Sequence, residues 1–165
     1  YLMELYKNKP IYMLVGEAPG YKGCGVSGIP FIDENEMKNH LGTDQDGYYF
    51  GNINCPQKEN SAGIIWSAIQ ARKDGKIPLM WNAYPFHPFG EKGTSSNRKP
   101  NKAELLVGKS YLEELIDIFW MKKQNIYAVG RVAQSQLGYL GAVKYIRHPS
   151  YGGKAECMNG ILLIK

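Results

Sequence analysis

Apolar residues along the chain fall into two patterns, short unbroken runs and longer stretches in which they recur at helical spacing. Residues 11–15, 79–83, 126–129 and 143–146 are runs of the first kind. Runs this short, closed by Gly, Asn or Arg-His-Pro, predict strands buried on both faces. Between them, residues 62–73 place Ile64, Ile65, Ala68 and Ile69 on one face, with Ser61 as the expected cap and Gly75 as the stop. A long polar loop, residues 84–100, precedes a second helix. That helix opens with Asn101 and Glu104 at capping-box spacing and carries the stripe Leu105, Tyr111, Leu112, Leu115, Ile116, Phe119 to about Met121. A shorter helix is expected over residues 131–140. Alternating strands and helices predict an α/β fold, a three-layer α/β/α sandwich with a central four-stranded parallel sheet. In such sheets the ligand site lies at the carboxyl ends of the strands. The segments following the strands here deliver Glu17, Asn82 and His148 to that end.

Residues 32–60 break the rhythm, being polar, rich in Asn, Asp and Gly, and without periodicity. They are expected to form an insertion or lid on a single domain spanning residues 1–165. A chain of this length buries roughly two thirds of its unfolded surface, so it needs no covalent staple. No apolar run approaches the roughly 18 residues of a membrane span, and the first ten residues lack the apolar core of a secretion signal. The expectation is a cytoplasmic monomer with no membrane partner. Tyr at position 1 and the apolar run 161–165 suggest that the termini are trimmed.

Charge sharpens the picture only through its distribution. The net charge is +5 and the isoelectric point about 9.0, which suits a polyanionic partner without requiring one. Residues 1–60 hold 5 Lys and no Arg against 8 acids, whereas residues 61–165 hold 15 basic residues against 7 acids. The three cysteines, Cys24, Cys55 and Cys157, are widely spaced with no Cys-x-x-Cys, so neither a disulfide framework nor a zinc site is expected.

The chemistry is carried by Gly16-Glu17-Ala18-Pro19-Gly20 followed by Gly28-Ile29-Pro30-Phe31, by Asn82 at the end of the second strand, by Asn97-Arg98-Lys99-Pro100, and by Val129-Gly130-Arg131-Val132-Ala133 leading to His148-Pro149-Ser150. In this order the segments resemble the iron-sulfur class (family four) of the uracil-DNA glycosylase superfamily, over most of the chain outside residues 32–60. The resemblance implies an enzyme that flips a base out of DNA and hydrolyses its glycosidic bond without a covalent intermediate. Gly16, Ala18, Phe31 and Asn82 would then form the base pocket. Phe31 would stack on the base, and Asn82, which offers both a carbonyl and an amide, would pair with its edge. A turn after Pro30 and a strand-end cap are the plain structural alternatives for these two residues.

His148 is expected to stabilise the negative charge on the departing base, and Glu17 to place water. Asn97 is the third residue implicated in catalysis, with a loop cap as its alternative. Arg98, Lys99, Lys102, Arg147 and Lys154 are the candidate contacts to DNA phosphates, against the alternative of a solvated basic face, and Ser150 is a further one, with loop capping as its alternative. Tyr151 and the glycines after it suggest a wedge in the minor groove. Three departures matter. Ala18 stands where the best-known relatives carry an Asp. The second acid that normally follows the motif's last Gly is missing from Tyr21-Lys22-Gly23, with Asp33 or Glu34 as possible substitutes. No cysteine precedes Gly16, and Phe86 and Gly108 occupy the downstream cluster positions, so no iron-sulfur cluster and no other metal or cofactor is expected. A binding relative with lost catalysis, and a nucleotide- or phosphate-binding domain using Gly16 to Gly28 as an anion loop, are the two rival readings.

Overall fold

The computed structural model describes residues 1–40, 58–141 and 143–165. In chain order the elements are α1 (Leu2–Asn8), β1 (Met13–Gly16), α2 (Cys24–Ser27), α3 (Glu34–His40), α4 (Asn60–Gln70), β2 (Leu79–Asn82), α5 (Lys102–Ile118), β3 (Ile126–Val129), α6 (Arg131–Gln136), β4 (Lys144–Ile146) and α7 (Lys154–Leu162). Short 3-10 turns at Lys123–Asn125 and Leu137–Leu140 precede β3 and follow α6. The four strands form one parallel sheet in the order β2-β1-β3-β4. Met13 pairs with Leu79 on one side and Ile126 on the other, and Val129 pairs with Ile146.

Successive strand residues point to opposite faces, and each face has its own core. Leu14, Met80, Tyr127, Val129 and Ile146 pack against Ile32, Met37, Ile65, Trp66 and Ile69, and against Cys157 and Ile161 of α7. Met13, Val15, Leu79, Ile126 and Ala128 pack against Leu5 of α1, Leu112 and Leu115 of α5, and Ala133 of α6. The three-layer sandwich expected from the alternation is present. Its strand order reverses on either side of β1, which opens a crevice at the carboxyl ends of β1 and β3.

Several boundaries differ from the sequence reading. Glu59, rather than Ser61, caps α4, and the Ser61 hydroxyl turns back to Glu59 Oε1 at 2.5 Å. The helix expected over residues 131–140 tightens into a 3-10 turn after Gln136. The segment 32–60 is not wholly an insertion: Ile32 and Met37 are core residues, and α3 packs beside α4. The rest of the segment expected to form an insertion or lid, residues 41–57, lies outside the described residues. The C-terminal apolar run 161–165 begins in the last turn of α7 and continues past it, and Arg72 binds a carbonyl of each part. Its Nη1 donates to Ile161 O at 2.7 Å and Ile164 O at 3.0 Å.

Candidate active site

Gly16 ends β1 directly beside Asn82 at the end of β2. A Cβ on Gly16 would lie 2.6 Å from Asn82 Oδ1 and 2.7 Å from Phe31 Cζ. The amide oxygen and the ring edge therefore meet over bare backbone, a convergence that any side chain at position 16 would abolish. Phe31 reaches this point from a left-handed backbone, φ 58°, a conformation that costs an L-residue about 1–2 kcal/mol. The turn is held by Ser27, whose hydroxyl donates to Ile32 O at 2.6 Å and accepts the Ile29 N–H at 3.1 Å. Burial of Ile29 and Ile32 anchors both sides. Asn82 is 4% exposed, and its Nδ2 donates to Cys24 Sγ at 3.6 Å. Burial, reinforced by the nearby Glu59 carboxylate, pushes the Cys24 thiol up to about 12, so the sulfur beside Asn82 is uncharged at neutral pH.

Beyond Gly16 the chain stays locked to the segment after β2. Ala83 N–H donates to Gly16 O at 2.8 Å and Tyr84 N–H to Glu17 O at 3.0 Å. Glu17 and Ala18 are half-buried. Burial raises the Glu17 carboxyl above its ordinary range, against the opposing pull of Lys99. Two side chains fix the rest of the loop. Asn97 Oδ1 accepts the Tyr21 N–H at 3.0 Å, and the His87 ring lies between Pro19 O at 2.8 Å and Thr94 O at 3.0 Å. Asn97 is thus brought to the motif loop, where its carbonyl serves as a tether.

The remaining predicted residues separate into free and engaged. Arg98 grips Glu104 with both guanidinium nitrogens, at 2.7 and 2.6 Å, and also donates to Phe89 O and Lys99 O. Arg98, with the Asn101 N–H, holds the Glu104 carboxyl down at about 2. Its charge is directed inward to the loop, while Lys99, Lys102, Ser150 and Lys154 are exposed. Asp33 is 2% exposed, its oxygens taken by Glu36 N–H at 2.8 Å and Glu59 N–H at 2.6 Å. Asp33 is therefore a clamp between α3 and α4, and Glu34 is buried at the start of α3.

At the far side of the crevice, His148 packs its Cβ against Gly130, at the end of β3. Its Nδ1 accepts the Ser150 N–H at 3.2 Å, which leaves the proton of the neutral ring on Nε2. Burial, and then the charge of Arg147, lowers the pKa of His148, so the neutral form with Nε2 as donor prevails near neutrality. Arg147 braces the loop by donating to His148 O at 3.0 Å and Tyr151 O at 3.3 Å. Tyr151 projects from the loop at φ 53° and is 99% exposed.

A parallel α/β/α sandwich with an aromatic face, an amide edge and a neutral imidazole at its carboxyl end is an arrangement suited to gripping a planar heterocycle and receiving charge from it. The sequence matches the Uracil DNA glycosylase superfamily over residues 3–156, and the chain belongs to that superfamily. Among solved structures, it is similar to the crystal structure of wild-type SMUG2 from Pedobacter heparinus, with a TM-score of 0.65 and 19% identity over 96% of this chain and 78% of that one. At that identity the likeness speaks for the fold. No curated protein matches the sequence.

Three contributors escape the sequence reading. Cys24 touches Asn82, His87 straps the motif loop, and the Glu59 carboxylate lies against Gly20 and Gly23. Cys24 and His87 lie in segments already marked by their neighbours, but no local signal joins Glu59 to a loop so distant in sequence. An apolar cavity of 330 Å³ lies at the other end of the sheet, bounded by α1, Pro10, Lys76 and Ile77, and contains none of Glu17, Phe31, Asn82 and His148. Among the described residues no group of three or more His, Cys, Asp or Glu is placed to hold a metal ion, and no helix is long and apolar enough to cross a membrane.

Proposed function

We propose that the protein is a monofunctional DNA glycosylase that hydrolyses the N-glycosidic bond of uracil, or of a related deaminated base, flipped out of DNA. The observation that carries this reading is the meeting of the Phe31 ring edge and the Asn82 carbonyl over Gly16. It gives a flat base a stacking surface and a polar edge at one point. As the C1′–N bond breaks, its electron pair leaves with the base, and negative charge gathers on the base carbonyl. A neutral His148 donating from Nε2 lowers the cost of that charge without first having to lose a proton. Glu17 is the carboxylate of the motif available to hold water. Lys99, Ser150 and Lys154 are free for phosphates, and Arg147 reaches the same face while bracing the loop. No Lys lies at Gly16, Phe31, Asn82 or His148, so the chemistry is hydrolysis and not Schiff-base formation.

The test is incubation of the purified protein with labelled single- and double-stranded oligonucleotides carrying uracil, hypoxanthine or xanthine, followed by alkaline cleavage of abasic sites. Strand cleavage at the modified base is the expected result. A binding relative that has lost catalysis is favoured by Ala18 and by the acid-free stretch Tyr21-Lys22-Gly23. Tight binding without abasic sites on every substrate would establish that reading instead.

A further inference from the structure

The motif loop has no acid between Gly20 and Cys24, yet a carboxylate occupies its side-chain space. A Cβ on Gly23 would lie 1.7 Å from Glu59 Oε2 and 2.8 Å from the Glu59 carboxyl carbon, and one on Gly20 would lie 3.3 Å from the same oxygen. The head group of Glu59 thus fills the volume that a side chain at residue 23 would take. It is held there from two directions. Ser61 donates its hydroxyl to Oε1 at 2.5 Å, and the Glu59 N–H is bound by Asp33 at 2.6 Å. Asp33 in turn caps α3 through the Glu36 N–H. The carboxylate is near Cys24, which touches Asn82. Glu59 also borders an open groove of 610 Å³ with Lys154, the first residue of the helix that follows the His148 loop. That groove is open to solvent, and none of Glu17, Phe31, Asn82 and His148 lines it.

We propose that Glu59 supplies the second carboxylate of the active site, which with Glu17 orients the water that attacks the sugar. This rests on the glycosylase reading. The C1′–N bond breaks with its electron pair on the base, and the anion is stabilised by His148. The water oxygen bonds to C1′, its proton passes to the Glu59 carboxylate and on to solvent, and the base anion takes a proton from solvent. The products are an abasic sugar and a neutral base. A general base of this kind contributes on the order of 10²–10⁴-fold to a rate. The arrangement also explains why residues 20 and 23 are both glycine: each leaves room for a carboxylate that arrives from another element.

The experiment compares wild type, Glu59→Gln, and the double variant Gly23→Glu with Glu59→Ala on a uracil-containing oligonucleotide. Single-turnover rates are measured with enzyme in excess, alongside DNA affinity by fluorescence anisotropy and thermal melting. Gly23 lies at φ −111° and ψ −110°, outside the regions an L-residue favours, so the double variant is compared with Gly23→Ala plus Glu59→Ala, which carries the same backbone strain without the carboxylate. Glu59→Gln should lower the single-turnover rate by about 10²-fold while affinity and melting hold, and the relocated glutamate should recover at least about a tenth of the wild-type rate. A Glu59→Gln rate within about twofold of wild type would overturn the proposal. So would a rate loss matched by a fall in melting temperature and not restored by the relocated glutamate. An active wild type with an unaffected Glu59→Gln would sink this inference alone, whereas an inactive wild type would sink it together with the glycosylase reading.

Discussion

Two aromatic residues hang from left-handed backbone in loops at the carboxyl end of the sheet, and their surroundings are opposite. Phe31, at φ 58°, is half-buried over Gly16, and its turn is pinned by Ser27 and by the buried Ile29 and Ile32. Tyr151, at φ 53°, is 99% exposed, and the Arg147 guanidinium and the turn into α7 hold its backbone. Each conformation costs about 1–2 kcal/mol. At Phe31 packing within the protein offsets that cost. At Tyr151 the ring adds no such packing among the described residues, and the loop's hydrogen bonds alone oppose the strain. Strain of this sort concentrates where a function needs a side chain in one place. The two loops thus differ in what surrounds their aromatic ring, one packed over Gly16 and the other exposed to solvent.

The largest effect expected from testing this division is on His148. His148→Ala removes the donor proposed for the departing base and should lower turnover by roughly 10²–10³-fold, with a much smaller change in DNA affinity. A collapse of affinity at preserved turnover would show that the loop serves only to bind. The pH profile comes next. Burial, and then the charge of Arg147, lowers the His148 pKa below 6.5, so the neutral donor persists to lower pH than in an ordinary imidazole. Glu17 is shifted the other way, above 4.5. Its carboxylate form is lost as pH falls through that raised value, at about tenfold in rate per unit of pH. An acid limb at a pH above 4.5, absent in Glu17→Gln, is the expected outcome. A limb that persists in Glu17→Gln would move the assignment to another group.

Phe31→Ala should weaken productive binding by about 1–3 kcal/mol, the usual worth of an aromatic ring under a base, measured as the loss in kcat/KM. Gly16→Ala tests the same pocket without touching the ring, because its Cβ would displace both Asn82 Oδ1 and Phe31 Cζ. It should reproduce the Phe31 loss and add a loss of discrimination between uracil and cytosine.

Much of this was legible before any coordinates, for identifiable reasons. The strand runs are short, apolar and bounded by turn residues, so their period and length fixed the layers; β3 lies at residues 126–129 as expected. Asn101 and Glu104 form the reciprocal capping box that their spacing implies. The meeting of Gly16, Phe31 and Asn82 followed from strand ends plus the resemblance. Elsewhere the signals were too short or too mixed. Gly152, Gly153 and Gly160 disguised α7, whose burial rests on tertiary contact with α4. Arg98 looked like a phosphate ligand because charge alone does not show that Glu104 faces it. Glu59 carries no signal in the sequence, because the glycines that receive it have no side chain to announce a partner.

The smallest effect is also the one that separates the two loops most directly. Replacing Tyr151 by Gly removes the left-handed penalty of about 1–2 kcal/mol and incurs about 0.5–1 kcal/mol of lost backbone freedom. No burial is forfeited, since the ring is almost fully exposed. The net is a gain of about 0.5–1 kcal/mol, or roughly 1–4 °C in melting midpoint for a domain of this size. If Tyr151 wedges into DNA, the same change should weaken binding of a uracil duplex several-fold, so stability and affinity move in opposite directions. Phe31→Gly relieves the same strain but empties space beside Gly16 and Asn82, so there both quantities should fall. Tyr151→Gly melting below wild type would mean that the exposed loop is held by contacts of its own, and the contrast between the two aromatics would fail.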